Sequence, residues 1–176
     1  MVFLLYRMSG FLRPASRVTR KPDLLSVHMR LPTQVSIFIV KPDAKGGQEY
    51  LLLHRVLPRL AFWQPVTGGV ESGETIEQTA RRELTEETGF LPDDLRPIGF
   101  TYSFPPDEFF IDVYETPPDE IVVHVFVAQV PTGAEPKIDP VEHDAYRWRS
   151  YGDALELLHW WDDKESLKRV DAFLTK

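Results

Sequence analysis

The sequence predicts an α+β fold in which a mixed β-sheet lies between α-helices. Five segments rich in β-branched and aromatic residues have the lengths and bounding turns of strands. Three helical segments with start or stop signals lie between or after them. The 176 residues, 43% hydrophobic and 27% charged, suit one folded domain with flanking helices and strands.

The strands are predicted from short apolar runs bounded by turn residues. Residues 35–40 end at a Lys-Pro-Asp turn with a nearby Gly-Gly pair, and residues 50–55 follow, so this pair predicts a β-hairpin. The other three strand candidates are residues 97–103, 121–130 and 146–149.

The first helix has clear signals at both ends. Thr75 with Gln78 three residues later forms a capping box, which marks a helix N-terminus. Gly89 is a residue that ends helices readily because it adopts the left-handed conformation, and Pro92 prevents continuation. These signals predict a helix over residues 76–88.

The C-terminal part is predicted to be helical. Ser150 is a suitable N-cap for a short helix that continues to Leu158. Apolar residues at 167, 170 and 174 have the spacing of a second helix with one buried side.

The charge is divided unevenly along the chain. Residues 1–30 contain six Lys or Arg residues and one Asp, so they carry a charge of +5. Because the whole chain has a net charge of −7, residues 31–176 carry −12. We expect residues 1–30 to be a basic N-terminal extension, either a disordered tail or a start assigned too far upstream, and residues 31–176 to be the domain. An Arg-rich targeting segment is the alternative.

The composition excludes several classes of protein. The acidic domain is a poor match for nucleic-acid phosphates, and no run approaches the roughly 18 apolar residues of a membrane helix. The absence of cysteine excludes disulfides, thiolate metal sites and a cysteine nucleophile, and it favours a cytoplasmic location. We expect a small-molecule substrate, with monomer and homodimer both open.

The first helix carries an unusual pair of acidic residues. At roughly 100° per residue, Glu83 and Glu87 fall on the same side as the apolar Ala80 and Leu84, whereas Glu86 does not. Like charges four residues apart repel, and burial without compensation adds a larger cost. A divalent cation such as Mg²⁺, which prefers oxygen ligands, would offset both.

Residues next to these glutamates fit the same interpretation. Arg82 is four residues before Glu86 and is expected to orient it. The Gly68-Gly69 pair predicts a bend that admits a phosphate-sized group, although an ordinary turn is the alternative. Glu74 lies just before the helix and is explained by the helix dipole alone.

Residues 68–90 resemble the full signature of the Nudix hydrolase family. The pattern is Gly68, five residues, Glu74, seven residues, and then Arg82-Glu-Leu-Thr-Glu-Glu-Thr-Gly-Phe90. The resemblance implies a Nudix fold, with a mixed sheet between helices. It also implies Mg²⁺-dependent hydrolysis of a nucleoside diphosphate linked to another group, with Mn²⁺ as an alternative ion.

Two further stretches are similar to one branch of that family. Trp63-Gln-Pro-Val-Thr-Gly68 and Val141-Glu-His-Asp-Ala-Tyr-Arg-Trp148 resemble the dihydroneopterin triphosphate and dATP pyrophosphohydrolases. This resemblance implies that a nucleoside or pterin triphosphate is cleaved to a monophosphate and pyrophosphate. Pro105-Pro106 is instead similar to the ADP-ribose pyrophosphatases, so ADP-ribose and dinucleoside polyphosphates remain alternative substrates.

The resemblance assigns roles to particular residues. The implied metal ligands are Glu83, Glu86, Glu87 and Glu142. The implied catalytic residues are Glu86, Glu87, Glu142 and Arg82, with Glu86 or Glu142 as the general base. The implied substrate-binding residues are Arg55, Trp63, Thr67, Gly68, Gly69 and His143.

Structural alternatives exist for several of these residues, and for catalysis itself. The alternative for Arg55 is an exposed position at the end of a strand, and the alternative for Trp63 is a place in the core. For His143 the alternative is a purely structural role. A non-catalytic, nucleotide-sensing Nudix domain is a further alternative. An isomerase of isopentenyl diphosphate is disfavoured, because its common form uses a cysteine that this chain lacks.

Overall fold

A seven-stranded mixed sheet organises the computed structural model of this chain. The structure describes residues 30–57, 60–91, 93–106, 114 and 118–176. The expectations for residues 1–29 and for Pro92 lie outside the described residues, and Arg30 begins the first strand. Within the described part, no helix is both long and apolar enough to cross a membrane.

The described residues form seven strands and three helices. In order, they are β1 (Arg30–Pro42), β2 (Gln48–Leu57), β3 (Leu60–Gln64), β4 (Val66–Glu71), α1 (Ile76–Thr88), β5 (Leu95–Phe104), β6 (Ile121–Gln129), β7 (His143–Ser150), α2 (Tyr151–Leu157) and α3 (Trp161–Leu174).

Strand β1 is the centre of the sheet because three other strands pair with it. β2 and β4 pair antiparallel to different parts of β1, and β6 pairs parallel to it along the opposite edge. The strand order is β3-β2-β1-β6-β5, with β7 added to β2. The mixture of parallel and antiparallel pairs confirms the predicted α+β class with a mixed sheet.

The two faces of the sheet bury two separate cores. Val35, Ile37 and Ile39 of β1 pack beneath α1, in a cluster that contains Ala80 and Leu84 of the helix. The alternate residues of β1 face the other way, into a cluster covered by α2 and α3. This alternation is the two-residue period of a strand buried on both faces.

All five predicted strands are present, and the structure extends most of them. The hairpin, for example, is formed by β1 and β2, and four register pairs join them from Ile39 opposite Leu51 to Pro42 opposite Gln48. The sequence did not predict β3 and β4, because both are short and Pro65 separates them. Pairing with β2 and β1 compensates for their weak local signals.

The predicted bend at Gly68-Gly69 is wrong. Both glycines lie within β4, where Gly68 pairs with Val35 and Gly69 with Gln34 of β1. Neither has a positive φ angle. Neither glycine is therefore needed for a turn.

Helix α1 begins and ends at the predicted residues. The Thr75 hydroxyl accepts a hydrogen bond from the Gln78 backbone N–H at 3.2 Å, and the Gln78 side chain accepts one from the Thr75 N–H at 2.8 Å. Gly89 has φ +70° and donates its N–H to the Thr85 carbonyl. The two C-terminal helices are also confirmed, with Ser150 as the N-cap of α2.

Removal of the cap should weaken the whole fold, because α1 packs on the core through Ala80 and Leu84. We expect Thr75→Ala to lower the free energy of unfolding by about 1 kcal/mol. Thr75→Ser, which keeps the hydroxyl, is the control and should remain within a few tenths of wild type. Urea denaturation measures both, and equal stabilities of the two variants would contradict the assigned cap.

Candidate metal centre and active site

Helix α1 turns two of its acidic side chains toward the protein interior. Glu83 is 8% exposed and Glu87 is 3% exposed, whereas the side chain of Glu86 is 58% exposed. The predicted division of the three glutamates between an inward and an outward side is thus confirmed. The inward pair lies on the helix face that also carries Ala80 and Leu84.

Gly68 leaves the space that the Glu83 side chain occupies. A Cβ atom added at Gly68 would lie 1.9 Å from Cδ and 2.0 Å from Oε1 of Glu83, far inside van der Waals contact. Gly69, in contrast, faces the end of the Arg30 side chain, 2.9 Å from Nη1. The glycine at position 68 is therefore needed so that a carboxylate can reach the strand.

The surroundings of Glu83 disfavour a negative charge on its side chain. Burial raises its pKa to about 8, and the nearby charge of Glu87 adds to the shift. Arg82 opposes the shift through a contact of 2.7 Å between its Nη1 and Oε1 of Glu83. A divalent cation would favour the ionised form more strongly than one arginine does.

Arg82 contacts Glu86 as predicted, but its shorter bonds go to Glu74. Its Nε and Nη2 donate to the two oxygens of Glu74 at 2.7 and 2.9 Å, the bidentate arrangement that arginine favours. The contact with the exposed Glu86 is longer, at 3.3 Å. The Arg82 hydrogen bonds hold the pKa of Glu74 near 2. Arg82 thus links the start of α1 to β4, where it also bonds the Gly69 carbonyl.

A second cluster forms where the segment 130–142 returns to the end of α1. The backbone N–H of Lys137 donates to the Thr88 carbonyl at 2.8 Å, and that of Asp139 to the Glu87 carbonyl at 3.3 Å. The His143 N–H then donates to the Asp139 carbonyl at 3.0 Å. These bonds fix the residues before β7 against the helix that carries Glu87.

The cluster brings Glu87, Glu142 and His143 together. One ligand atom from each lies within 4.8 Å of the other two. Nε2 of His143 lies 3.1 Å from Oε2 of Glu87, and Nη1 of Arg55 donates to Oε2 of Glu142 at 2.6 Å. Oε1 of Glu87 is buried and has no hydrogen-bond partner among the residues that the structure describes.

These residues fit a bound divalent cation. Glu87 combines near-complete burial with an orphaned oxygen, and burial raises its pKa despite the hydrogen bond from His143. Such a group is costly unless a positive partner completes its shell. Glu83, Glu87 and Glu142 supply the hard oxygen ligands that such an ion prefers.

The structure separates the predicted substrate-binding residues into two groups. Gly68, His143 and Arg55 lie at the carboxylates, and Arg55 is buried and paired, so it is not a solvated strand end. Trp63 packs against the core on the opposite face of the sheet, beside His54. Thr67 alternates to that face as well, where Gln64 donates to its hydroxyl at 3.3 Å.

Two features were missed from the sequence. Arg55 is the direct partner of Glu142, and 87 residues separate them, so no local pattern indicates the pair. Arg30 was assigned to the basic extension, yet its side chain lies against Gly69, and burial lowers its pKa while the charge of Glu83 opposes that shift. Arg30 precedes the predicted strand by five residues, so no local pattern indicates this contact.

Substitution at the two glycines should have unequal effects. Gly68→Ala must displace Glu83, so we expect a loss of Mn²⁺ affinity of at least about 10-fold, comparable with losses from disturbed metal ligands. Gly69→Ala meets only the end of a flexible arginine and should bind Mn²⁺ almost as wild type does. Isothermal titration calorimetry measures both affinities. Equal losses would contradict the role assigned to Gly68.

The metal-free protein should be destabilised by Glu83 as the pH rises. The pKa of Glu83 is about 8 when folded against an ordinary value of 4.5, so its ionisation costs stability between these values. In EDTA, Glu83→Gln should melt at a progressively higher temperature than wild type from about pH 4.5 to 8, with a constant difference above.

Thermal melts across that pH range provide the measurement. Glu86→Gln, which removes an exposed carboxylate from the same helix, is the control and should show no such trend. A melting temperature of Glu83→Gln that tracks wild type at every pH would contradict the buried charge.

Comparison with known proteins identifies the domain. The model of the NUDIX domain matches residues 31–170. An RNA pyrophosphohydrolase of Caulobacter vibrioides is 34% identical over 140 residues, which cover 74% of this chain and 78% of that protein. The dihydroneopterin triphosphate pyrophosphohydrolase of E. coli has a similar structure, with a TM-score of 0.66 and 27% identity over 81% of this chain and 97% of its own.

A further relative shares only this domain. An octanoyltransferase of Myxococcus xanthus is 37% identical over 139 residues, 78% of this chain. The chain spans 36% of the length of that protein, so the match supports the domain and not the transferase activity. The resemblance seen in residues 68–90 is confirmed, and the chain belongs to the NUDIX family of hydrolases, which act on phosphoanhydride bonds.

Proposed function

We propose that this chain is a Mg²⁺-dependent pyrophosphohydrolase that cleaves a nucleoside or pterin triphosphate to a monophosphate and pyrophosphate. The observation that carries the proposal is the buried pair Glu83 and Glu87, with an unpartnered oxygen on Glu87. A polyphosphate is anionic, and this acidic cluster would repel it unless a cation lay between them. The site therefore suits a substrate that arrives with, or at, a divalent metal.

Mg²⁺ is the ion that the oxygen ligands favour, and Mn²⁺ is the alternative. Glu83, Glu87 and Glu142 would hold the metal, with Glu86 at the exposed rim. When bound, the ion neutralises charge on the phosphates and lowers the pKa of a coordinated water. Phosphoryl transfer depends chiefly on such positioning and charge neutralisation.

Glu86 is the better of the two candidates for the general base. Its side chain is exposed at the rim, and its contact with Arg82, at 3.3 Å, is long. One oxygen of Glu142 already accepts a hydrogen bond from Arg55 at 2.6 Å, so the arginine neutralises its charge within the site. Glu86 can accept the proton of an attacking water and release it to solvent.

The substrate class follows from the relatives as well as from the site. The C. vibrioides relative is named an RNA pyrophosphohydrolase, and the E. coli structure is named a dihydroneopterin triphosphate pyrophosphohydrolase. Both names describe pyrophosphohydrolases, and the second names a triphosphate as the substrate. A triphosphate end is therefore the feature that we propose this site recognises, while ADP-ribose and dinucleoside polyphosphates are the alternative substrates.

A substrate panel tests the proposed reaction. We expect turnover with Mg²⁺ for dATP or dihydroneopterin triphosphate, with pyrophosphate as product, and slower turnover for ADP-ribose and diadenosine polyphosphates. Hydrolysis in H₂¹⁸O followed by ³¹P NMR locates the bond that breaks. A faster reaction with ADP-ribose would indicate that the chain is an ADP-ribose hydrolase. Nucleotide binding without turnover would indicate a non-catalytic sensing domain.

The acidic helix should be necessary for turnover. We expect Glu87→Gln to lower kcat at least about 10³-fold, since it removes an inward metal ligand, without loss of folding. Glu77→Gln, on the exposed start of the same helix, is the matched control and should keep wild-type kinetics. Steady-state kinetics and thermal melts compare them, and substantial activity in Glu87→Gln would contradict the metal-centred mechanism.

A further inference from the structure

We propose that His143 is a nitrogen ligand of a divalent cation held by Glu87 and Glu142, and that it biases this position toward first-row transition metals over Mg²⁺. The proposal rests on the proposed function, because it concerns the metal of that reaction. It goes further in assigning a mixed nitrogen and oxygen ligand set to one end of the site.

The geometry of the three side chains supports a shared ion. Their ligand atoms lie within 4.8 Å of one another, a spacing that one cation can bridge. His143 is 1% exposed, and Nε2 is 3.1 Å from Oε2 of Glu87. Oε1 of Glu87 and Nδ1 of His143 are both buried and lack hydrogen-bond partners among the described residues. Nε2 is hydrogen-bonded to Glu87 in the absence of a metal, and a cation between the two groups would replace the shared proton.

A local irregularity of the sheet aims these side chains at the same point. In the pairing of β2 with β7, His54 lies opposite Ala145 and Arg55 lies opposite His143, so Asp144 is the extra residue of a bulge and has no register partner in β2. Such bulges occur beside active sites and redirect neighbouring side chains. The Val56 N–H also donates to the Glu142 carbonyl at 3.3 Å, which fixes Glu142 just before the bulge.

The low net charge of the cluster favours transition metals, which bind nitrogen well, over Mg²⁺. Glu87 and Glu142 supply two negative charges when ionised, and Arg55 at 2.6 Å from Glu142 cancels one of them. Mg²⁺ binds mainly through charge and oxygen ligands, so an imidazole adds little to its affinity. Imidazole suits iron, nickel and zinc, and affinity for such a site rises from Mn²⁺ toward Co²⁺ and Ni²⁺.

The rival role for His143 is to orient Glu87 through a hydrogen bond without touching the metal. The two roles differ in one observable, the magnetic coupling between a paramagnetic ion and the imidazole nitrogen. Mn²⁺ bound to the wild-type protein should show ¹⁴N modulation in pulsed EPR, and His143→Gln should lose it. Gln keeps a polar group at that position, so the hydrogen bond to Glu87 can persist.

His159→Gln is the matched control, because His159 is exposed and lies beside Phe62 and Trp160. It should keep the ¹⁴N modulation. In calorimetry, His143→Gln should lower the Co²⁺ affinity at least about 10-fold while changing the Mg²⁺ affinity little.

The wild-type spectrum decides the proposal even if His143→Gln fails to fold. An Mn²⁺-loaded wild-type protein without ¹⁴N modulation, or modulation that persists in His143→Gln, would overturn the nitrogen ligand and leave the proposed hydrolysis standing. A wild-type protein that binds neither Mn²⁺ nor Co²⁺ would overturn the nitrogen ligand, and one that also fails to bind Mg²⁺ would overturn both proposals.

Discussion

Two carboxylates of like charge, Glu83 and Glu87, lie one turn apart on the face of α1 that packs on the sheet. Charges removed from water cost several kcal/mol each unless partners compensate them. The compensation here is partial: Arg82 contacts Glu83, and His143 contacts one oxygen of Glu87. The remaining oxygen of Glu87 is unpaired among the described residues. The other features of the site follow from how the fold tolerates this pair.

The fold holds the pair in place through elements that are distant in the sequence. Gly68 of β4 leaves room for the Glu83 carboxylate, which no larger residue would allow. The segment 130–142 bonds to the last turn of α1 and delivers Glu142 and His143 to Glu87. Arg55 of β2 completes the cluster. Because the site combines a helix, three strands and a loop, its geometry depends on the whole domain and not on the acidic helix alone.

The helix and the inward direction of its glutamates were predictable because both depend on local rules. The capping box at Thr75 and the period of 3.6 residues require no knowledge of the rest of the chain. The conformation of Gly68 was not predictable, because a glycine in a short strand resembles a turn until its pairing with β1 is known. The side of the sheet on which Trp63 lies was not predictable for a similar reason. Side chains alternate between the two faces along a strand, and β3 was not recognised as a strand. The pair of Arg55 and Glu142 arises from tertiary structure alone.

The central claim is that a divalent cation lies against the inward carboxylates of α1. Crystals grown with Mn²⁺ and measured at the manganese absorption edge test it most directly. We expect an anomalous peak between the Glu83 and Glu87 carboxylates, on the side of α1 that faces Gly68. An active, Mn²⁺-loaded protein with no peak at these carboxylates, or with its metal bound elsewhere, would contradict the account.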